Sequence, residues 1–149
     1  MQMIRLLIIS ILVLTSACSE YLPISGGKLE GNVSNFFTEW TTLSKTKIVQ
    51  METKGSGGPY SVNLWTVDVN GLPYIFAGDN LAKWVKNIAK EPNVRLKVQS
   101  RIFELKAVRI KDKFMFEVFA KAWAKKYGNR PRNENIEETY LFKLEPRNN

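Results

Sequence analysis

The sequence predicts an α+β domain built on a six-stranded antiparallel barrel, with helices inserted between the strands. Six short segments carry strand-like character, turn signals bound them, and three intervening stretches switch to helical spacing. The chain has 149 residues, 44% hydrophobic and 24% charged. That is enough for one core and too little for two, and no internal repeat is legible.

The elements follow in order. Ser34 is placed to cap a short helix in which Phe36, Phe37, Trp40 and Leu43 recur at helical spacing. Lys47 to Thr53 then alternates Val49, Met51 and Thr53 against Ile48, Gln50 and Glu52. The run from Lys54 to Pro59, with three glycines, is a turn, and Tyr60 to Val69 resumes as a strand. Asn70-Gly71 suits a two-residue hairpin returning through Leu72 to Ala77. Asn80 is placed to cap a helix with Leu81, Trp84, Val85 and Ile88 on one face and Pro92 past its end. Val94, Leu96 and Val98 alternate with Arg95, Lys97 and Gln99, and Phe103 to Ile110 continues as another strand. Asp112 opens a helix to about Tyr127, with Met115, Val118, Phe119 and Ala122 inward and Gly128 at its stop. Thr139 to Leu144 is the last strand.

Composition removes whole classes of chemistry. The chain has no histidine, which excludes imidazole-based triads, the HExxH zinc helix and histidine-ligated haem. Its lone cysteine, Cys18, can form no intrachain disulfide. There is no GxSxG elbow, P-loop or Rossmann glycine pattern, and Glu137-Glu138 show no pairing for hydrolysis. A net charge of +8 favours an anionic partner or surface. Arg95, Lys97, Arg101, Lys106, Arg109, Lys111 and Lys113, with Lys121, Lys125 and Lys126, are either a patch for anionic lipid or the solvated faces of strands and helix. No zinc-finger, helix-turn-helix or RNA-recognition motif is present.

The N-terminus has the form of an address. Arg5 gives the start one charge, Leu6 to Leu14 is almost wholly apolar, and Thr15-Ser16-Ala17 places small residues before Cys18. This pattern resembles a bacterial lipoprotein signal, in which the cysteine thiol takes a diacylglycerol and becomes the mature N-terminus. The resemblance implies a signal peptide over 1–17, a tether over 18–33 rich in Gly, Ser, Pro and Glu, and a domain over 34–149. It departs at Thr15, where leucine is usual. The alternative is an ordinary cleaved signal followed by an incidental cysteine. Ser19 resembles the outer-membrane sorting pattern, which implies an envelope protein anchored there and facing the periplasm. A lone Arg5, with no twin arginine, implies export of the unfolded chain, so a non-covalent cofactor is acquired outside the cytoplasm.

Two further stretches carry a resemblance. One is Ser56-Gly57-Gly58-Pro59 followed by Val62-Asn63-Leu64-Trp65. The other is Trp84-Val85-Lys86-Asn87, followed by Glu91-Pro92-Asn93-Val94-Arg95-Leu96. With the ending from Tyr140 to Pro146, they resemble the split β-barrel flavin-binding superfamily of pyridoxamine-phosphate-oxidase type, nearest its deazaflavin-dependent nitroreductase-like group. The resemblance implies FMN or a deazaflavin as cofactor. Lys54, Ser56 and Gly57 then face its phosphate, and Trp84 and Asn87 lie near the ring or ribityl chain. It also implies an oxidoreductase acting on a small-molecule acceptor, and a homodimer. Glycines allow backbone N–H groups to approach an anion closely, and lysine adds a point charge without arginine's fork. Thr53 and Lys54 replace the usual Gly-Arg pair, and Asn63 stands where proline is common. The residues leave other readings open: a plain hairpin turn at 55–59, Trp84 as a core aromatic, and Asn87 satisfying nearby backbone. Trp65, Tyr60 and Tyr74 either line a pocket or pack. The matching alternative for the whole protein is an envelope lipoprotein that has lost the cofactor and binds an anionic surface or protein partner.

Overall fold

The computed structural model of the chain describes residues 26–147; the expected signal, Cys18 and the first part of the tether lie outside the described residues. In chain order the elements are β1 (Asn32–Val33), α1 (Phe36–Leu43), β2 (Ile48–Gly55), β3 (Gly58–Val69), β4 (Leu72–Ala77), α2 (Lys83–Lys90), β5 (Asn93–Val98), β6 (Arg101–Ile110), α3 (Lys113–Tyr127) and β7 (Tyr140–Pro146). The strands run β6-β5-β2-β3-β4-β7, all antiparallel, and β7 pairs back onto β6 to close the ring. This is the expected six-stranded α+β barrel. Short β1 adds alongside β6, parallel, at Arg101 and Ile102, where β7 does not reach.

Closure turns alternation into an inside and an outside. Val49 and Met51 of β2, Val94, Leu96 and Val98 of β5, and Phe103, Leu105 and Ala107 of β6 join one buried core. α1 plugs the end of the barrel near Val49 and Phe103: Phe36 and Trp40 stack with ring centroids 5.7 Å apart, and both meet the Phe103 ring edge-on. Trp40 Nε1 donates to Asp68 Oδ2 at 2.6 Å, so the buried indole is satisfied. α2 plugs the opposite end with Trp84, Val85 and Ile88. A second cluster forms where α3 lays Phe116, Phe119, Ala120 and Trp123 against Val67, Val69, Tyr74 and Leu141. Burying one such large apolar side chain contributes about 1.5–3 kcal/mol.

Several local expectations shift. The cap of α1 is Asn35, whose Oδ1 accepts from Phe37 N at 3.0 Å, because Ser34 is held in sheet pairing by its N–H bond to Ile102 O. Phe37 consequently points outward and is 78% exposed. α2 begins at Lys83 instead of after Asn80, since Asp79 Oδ1 takes the Leu81 N–H at 2.7 Å and holds a turn there; Leu81 is exposed. The bend between β2 and β3 contracts to Ser56-Gly57, with Lys54 opposite Pro59 and Gly55 opposite Gly58 inside the ladder. On α3 only Phe119 of the four expected inner residues is fully buried; Met115, Val118 and Ala122 flank the packed stripe. Asp112 and left-handed Gly128 bound that helix as expected. Residues 26–33, expected as the end of the tether, are packed on the barrel.

The last turn of α3 fastens that helix to the loop before β2 and to strand β3. Lys126 Nζ donates to Ser44 O, Thr46 O and Thr66 O at 3.1, 2.8 and 2.7 Å, so three carbonyls match its three N–H groups. Burial holds the Lys126 ammonium below the ordinary lysine pKa. Tyr127 Oη accepts from Thr66 N at 3.1 Å, and Thr66 O at 2.7 Å and Lys47 O at 2.9 Å are the acceptors for its single proton. Burial pushes its phenol from 10.0 up to about 12. The folded state thus keeps a proton that the unfolded chain releases, so this contribution is whole below pH 10 and is lost as pH rises to about 12. Tyr127→Phe should therefore cost about 1–2 kcal/mol at neutral pH in urea denaturation, and its deficit against the natural chain should narrow above pH 10.

Candidate functional site

The β2–β3 hairpin is the centre of the candidate site. Gly57 and Gly58 have open space around them, and Gly58 holds φ at +112°, a conformation that side chains disfavour. Ser56 and Gly57 are exposed at the bend, and Lys54 is exposed on the last turn of β2. No carboxylate or hydrogen-bond partner among the described residues engages the Lys54 ammonium. Beneath the bend, Asn87 Nδ2 of α2 donates to Thr53 Oγ1 at 2.9 Å, and Thr53 Oγ1 donates to Tyr60 O at 3.3 Å. A side chain at Gly55 would crowd this junction, its Cβ lying 3.1 Å from Gly58 O and 3.5 Å from Asn87 Nδ2. Asn87 is thus buried and fixes the plug helix to the hairpin.

A cavity of about 360 Å³ lies beside the hairpin, bounded by Thr53, Lys54 and Pro59 on one side and by Glu91, Val94 and Arg147 on the other. Glu52 and Arg95 also contribute. They are cross-strand neighbours on β2 and β5, and Arg95 Nη1 meets Glu52 Oε2 at 2.9 Å. Across this pair runs the segment 26–33. Gly26 exchanges two backbone hydrogen bonds with Ser61, of 2.7 and 2.9 Å; Leu29 N donates to Glu52 Oε2 at 2.6 Å, and Leu29 O accepts from Arg95 Nη1 at 3.2 Å. Leu29 itself is buried, and the segment ends as β1 on β6. Arg147 reaches back from the C-terminal side, donating to Val94 O at 2.9 Å and Leu105 O at 3.2 Å.

The structure therefore brings Lys54, Ser56, Gly57 and Asn87 to one end of one hairpin. It separates Trp84 from them: that ring is buried in the core, edge-on to Phe142 with centroids 5.8 Å apart. The remaining aromatic candidates pack. Trp65 stacks on Tyr127 at 4.7 Å, Tyr74 stacks with Phe119 at 6.5 Å, and Tyr60 carries the Lys83 ammonium over its ring at 4.7 Å. Tested against a flavin, the chemistry fits at one end. An exposed ammonium, a hydroxyl and an open glycine backbone suit a phosphate. No aromatic residue lines the cavity to stack the ring. Among the described residues no cluster of acidic residues could hold a metal ion.

Sequence reasoning missed Glu52, Arg95 and Arg147 as wall residues. Glu52 and Arg95 showed only as outward-facing charges on alternating strands, which ordinarily meet water, and Arg147 as a charge just past the last strand. The expected basic patch is dispersed: Arg101 pairs with Glu39 at 2.9 Å, Lys121 with Glu117 at 3.8 Å, and Lys126 is turned onto backbone carbonyls.

No family model and no curated protein matches the chain. Solved structures do. General Stress Protein 26 from Bacillus anthracis superposes with a TM-score of 0.57 at 18% identity, covering 72% of this chain and 85% of that one. A NimC/NimA family protein from Clostridium acetobutylicum gives 0.56 at 11% identity, over 73% and 83%. A FAD-binding protein from Mesorhizobium loti gives 0.54 at 15% identity, over 74% and 88%. The fold this shows is the split β-barrel of pyridoxamine-phosphate-oxidase type. At such identities the likeness establishes the fold, and function rests on the site.

The wall of the cavity has a direct test. Glu52→Ala strands both the Leu29 N–H and the Arg95 guanidinium, and should lower stability by about 2–3 kcal/mol in denaturant titration. Amide exchange at Leu29 and Asn32 should accelerate more than exchange within β3.

Proposed function

We propose that this barrel binds a flavin or deazaflavin by its phosphate at the β2–β3 bend and serves as an oxidoreductase of nitroreductase-like class. The observation that carries the reading is the open bend itself: Lys54, Ser56 and Gly57 exposed beside a cavity of about 360 Å³, with backbone that only glycine adopts readily. The FAD-binding protein of the same fold supports the cofactor class. A bound flavin supplies hydride transfer to a small acceptor. The chain's part is to hold the phosphate with Lys54 and Ser56, while Asn87, through Thr53, keeps the hairpin in register with the plug helix. The exposed cross-strand pair Ile48 and Trp65 offers an apolar face for a second copy of the chain.

Cys18 would carry the lipid, tethering the domain to the outer membrane on its periplasmic side. Residues 26–33, the end of the expected tether, are hydrogen-bonded to the barrel at Gly26, Leu29 and Asn32.

A second reading has its own observation. Lys54 offers no bidentate fork and Trp84 is committed to the core, so a barrel without cofactor, meeting an anionic surface or protein partner, agrees with the same arrangement of residues. The exposed row Lys83, Lys86 and Lys90 on α2 would face that surface.

Adding FMN, and separately a deazaflavin, to the full-length chain decides between them. Visible absorbance retained through desalting, with affinity reduced about tenfold or more in Lys54→Ala combined with Ser56→Ala, is the expected result. A colourless natural chain that sediments with anionic vesicles after its acyl chains are removed would support the second reading. Cys18→Ser should abolish incorporation of labelled palmitate and release the protein from the membrane fraction; label retained in that variant would refute the anchor.

A further inference from the structure

We infer that the mouth of the barrel between α2 and β6–β7 is a binding site for a small carboxylic acid with an apolar body, separate from the flavin reading. Arg109 lies on β6 opposite Phe142 of β7, in phase with the inward-facing Leu105 and Ala107. Its guanidinium sits with Cζ 3.7 Å from the centre of the Tyr140 ring, and Nη2 donates to Thr139 O at 2.6 Å. The Nε–H is out of reach of solvent and has no acceptor. Among the described residues no ion pair joins Arg109 to a carboxylate. A part-buried guanidinium without a counter-charge is costly, and the comparably buried Arg95 and Lys143 each pair with a carboxylate.

What faces this cation is a cavity of about 200 Å³ whose other walls are Val85, Ile88 and Ala89 of α2 with Ala107, Tyr140 and Phe142. One cation set in otherwise hydrocarbon and aromatic walls selects a ligand built the same way. Its carboxylate would accept from the part of the Arg109 guanidinium that lines the cavity, and its body would cover the walls. The volume limits that body to about one six-membered ring or a short chain, since a dry cavity of about 150 Å³ accepts benzene. Inorganic anions lack the body and neutral aromatics lack the charge. α2 separates this mouth from the hairpin: Asn87 faces the hairpin while Val85 and Ile88 face Arg109.

Calorimetric titration of the full-length chain with benzoate, benzyl alcohol and acetate tests the site. Saturable one-to-one binding of benzoate is expected, with the alcohol and acetate each weaker by about tenfold or more. Arg109→Gln should weaken benzoate by about tenfold or more. Ala89→Phe, a change at the exposed rim, should block binding with Arg109 still in place, and it decides the matter if Arg109→Gln does not fold. Lys54→Ala should leave benzoate binding unchanged. Absence of saturable binding, equal affinity for acetate, or unaltered affinity in a folded Arg109→Gln or Ala89→Phe chain would overturn the site. Benzoate binding lost in Lys54→Ala would overturn it too, by moving the anion to the hairpin.

Discussion

The hydrogen-bonded ladder between β6 and β7 is the constraint on which this molecule depends. Without it, six strands form an open sheet with two bare edges and no defined interior. With it, alternate residues of β2, β5 and β6 converge on one core, and the ring acquires two ends that must be stopped. α1 and α2 are those stoppers, α1 entering just before β2 and α2 in the connection from β4 to β5. α3 answers a different need, covering the outer face that Val67, Val69 and Tyr74 would otherwise show to water.

Polar contacts then fix what apolar packing leaves loose. Hydrophobic burial is non-directional, and a helix resting on a sheet can slide or rotate without losing much area. Lys126 and Tyr127 remove that freedom for α3 by engaging particular carbonyls on two separate segments. Asn87 does the same for α2 at Thr53, and Glu52 with Arg95 does so for the segment carrying Leu29. The candidate phosphate site lies among these fastenings, so its bend is open at the tip and rigid at the base.

The plug helix α2 has a double position. Its Asn87 side supports the hairpin and its Val85 and Ile88 side roofs the mouth beneath Arg109. Two cavities of different character thus lie near this helix: one edged by Lys54, Arg95 and Arg147 and linked to it through Thr53 and Asn87, the other apolar around a single guanidinium and walled by the helix itself. The attachment of that helix to the barrel is mostly apolar. Trp84 belongs to that attachment, in keeping with its helical spacing to Ile88 on the apolar face.

Strand alternation, the Asn70-Gly71 hairpin, the Asp112 and Gly128 helix boundaries and the glycine-rich bend were legible in the sequence, because each depends on the torsional and hydrogen-bonding preferences of a few adjacent residues. The burial of Leu29, the pairing of Glu52 with Arg95 and the isolation of Arg109 were not. Neither was the Gln99-Ser100 turn, where a non-glycine residue holds φ at 55°. Alternation says that Glu52 and Arg95 share a face, but only strand register makes them neighbours, and only the returning N-terminal segment takes that face out of water. By itself the sequence determined the class of barrel and where its bends fall. The tertiary structure decided which charges find partners and which helix residues are spent on packing, because those outcomes depend on distances between segments that are remote along the chain.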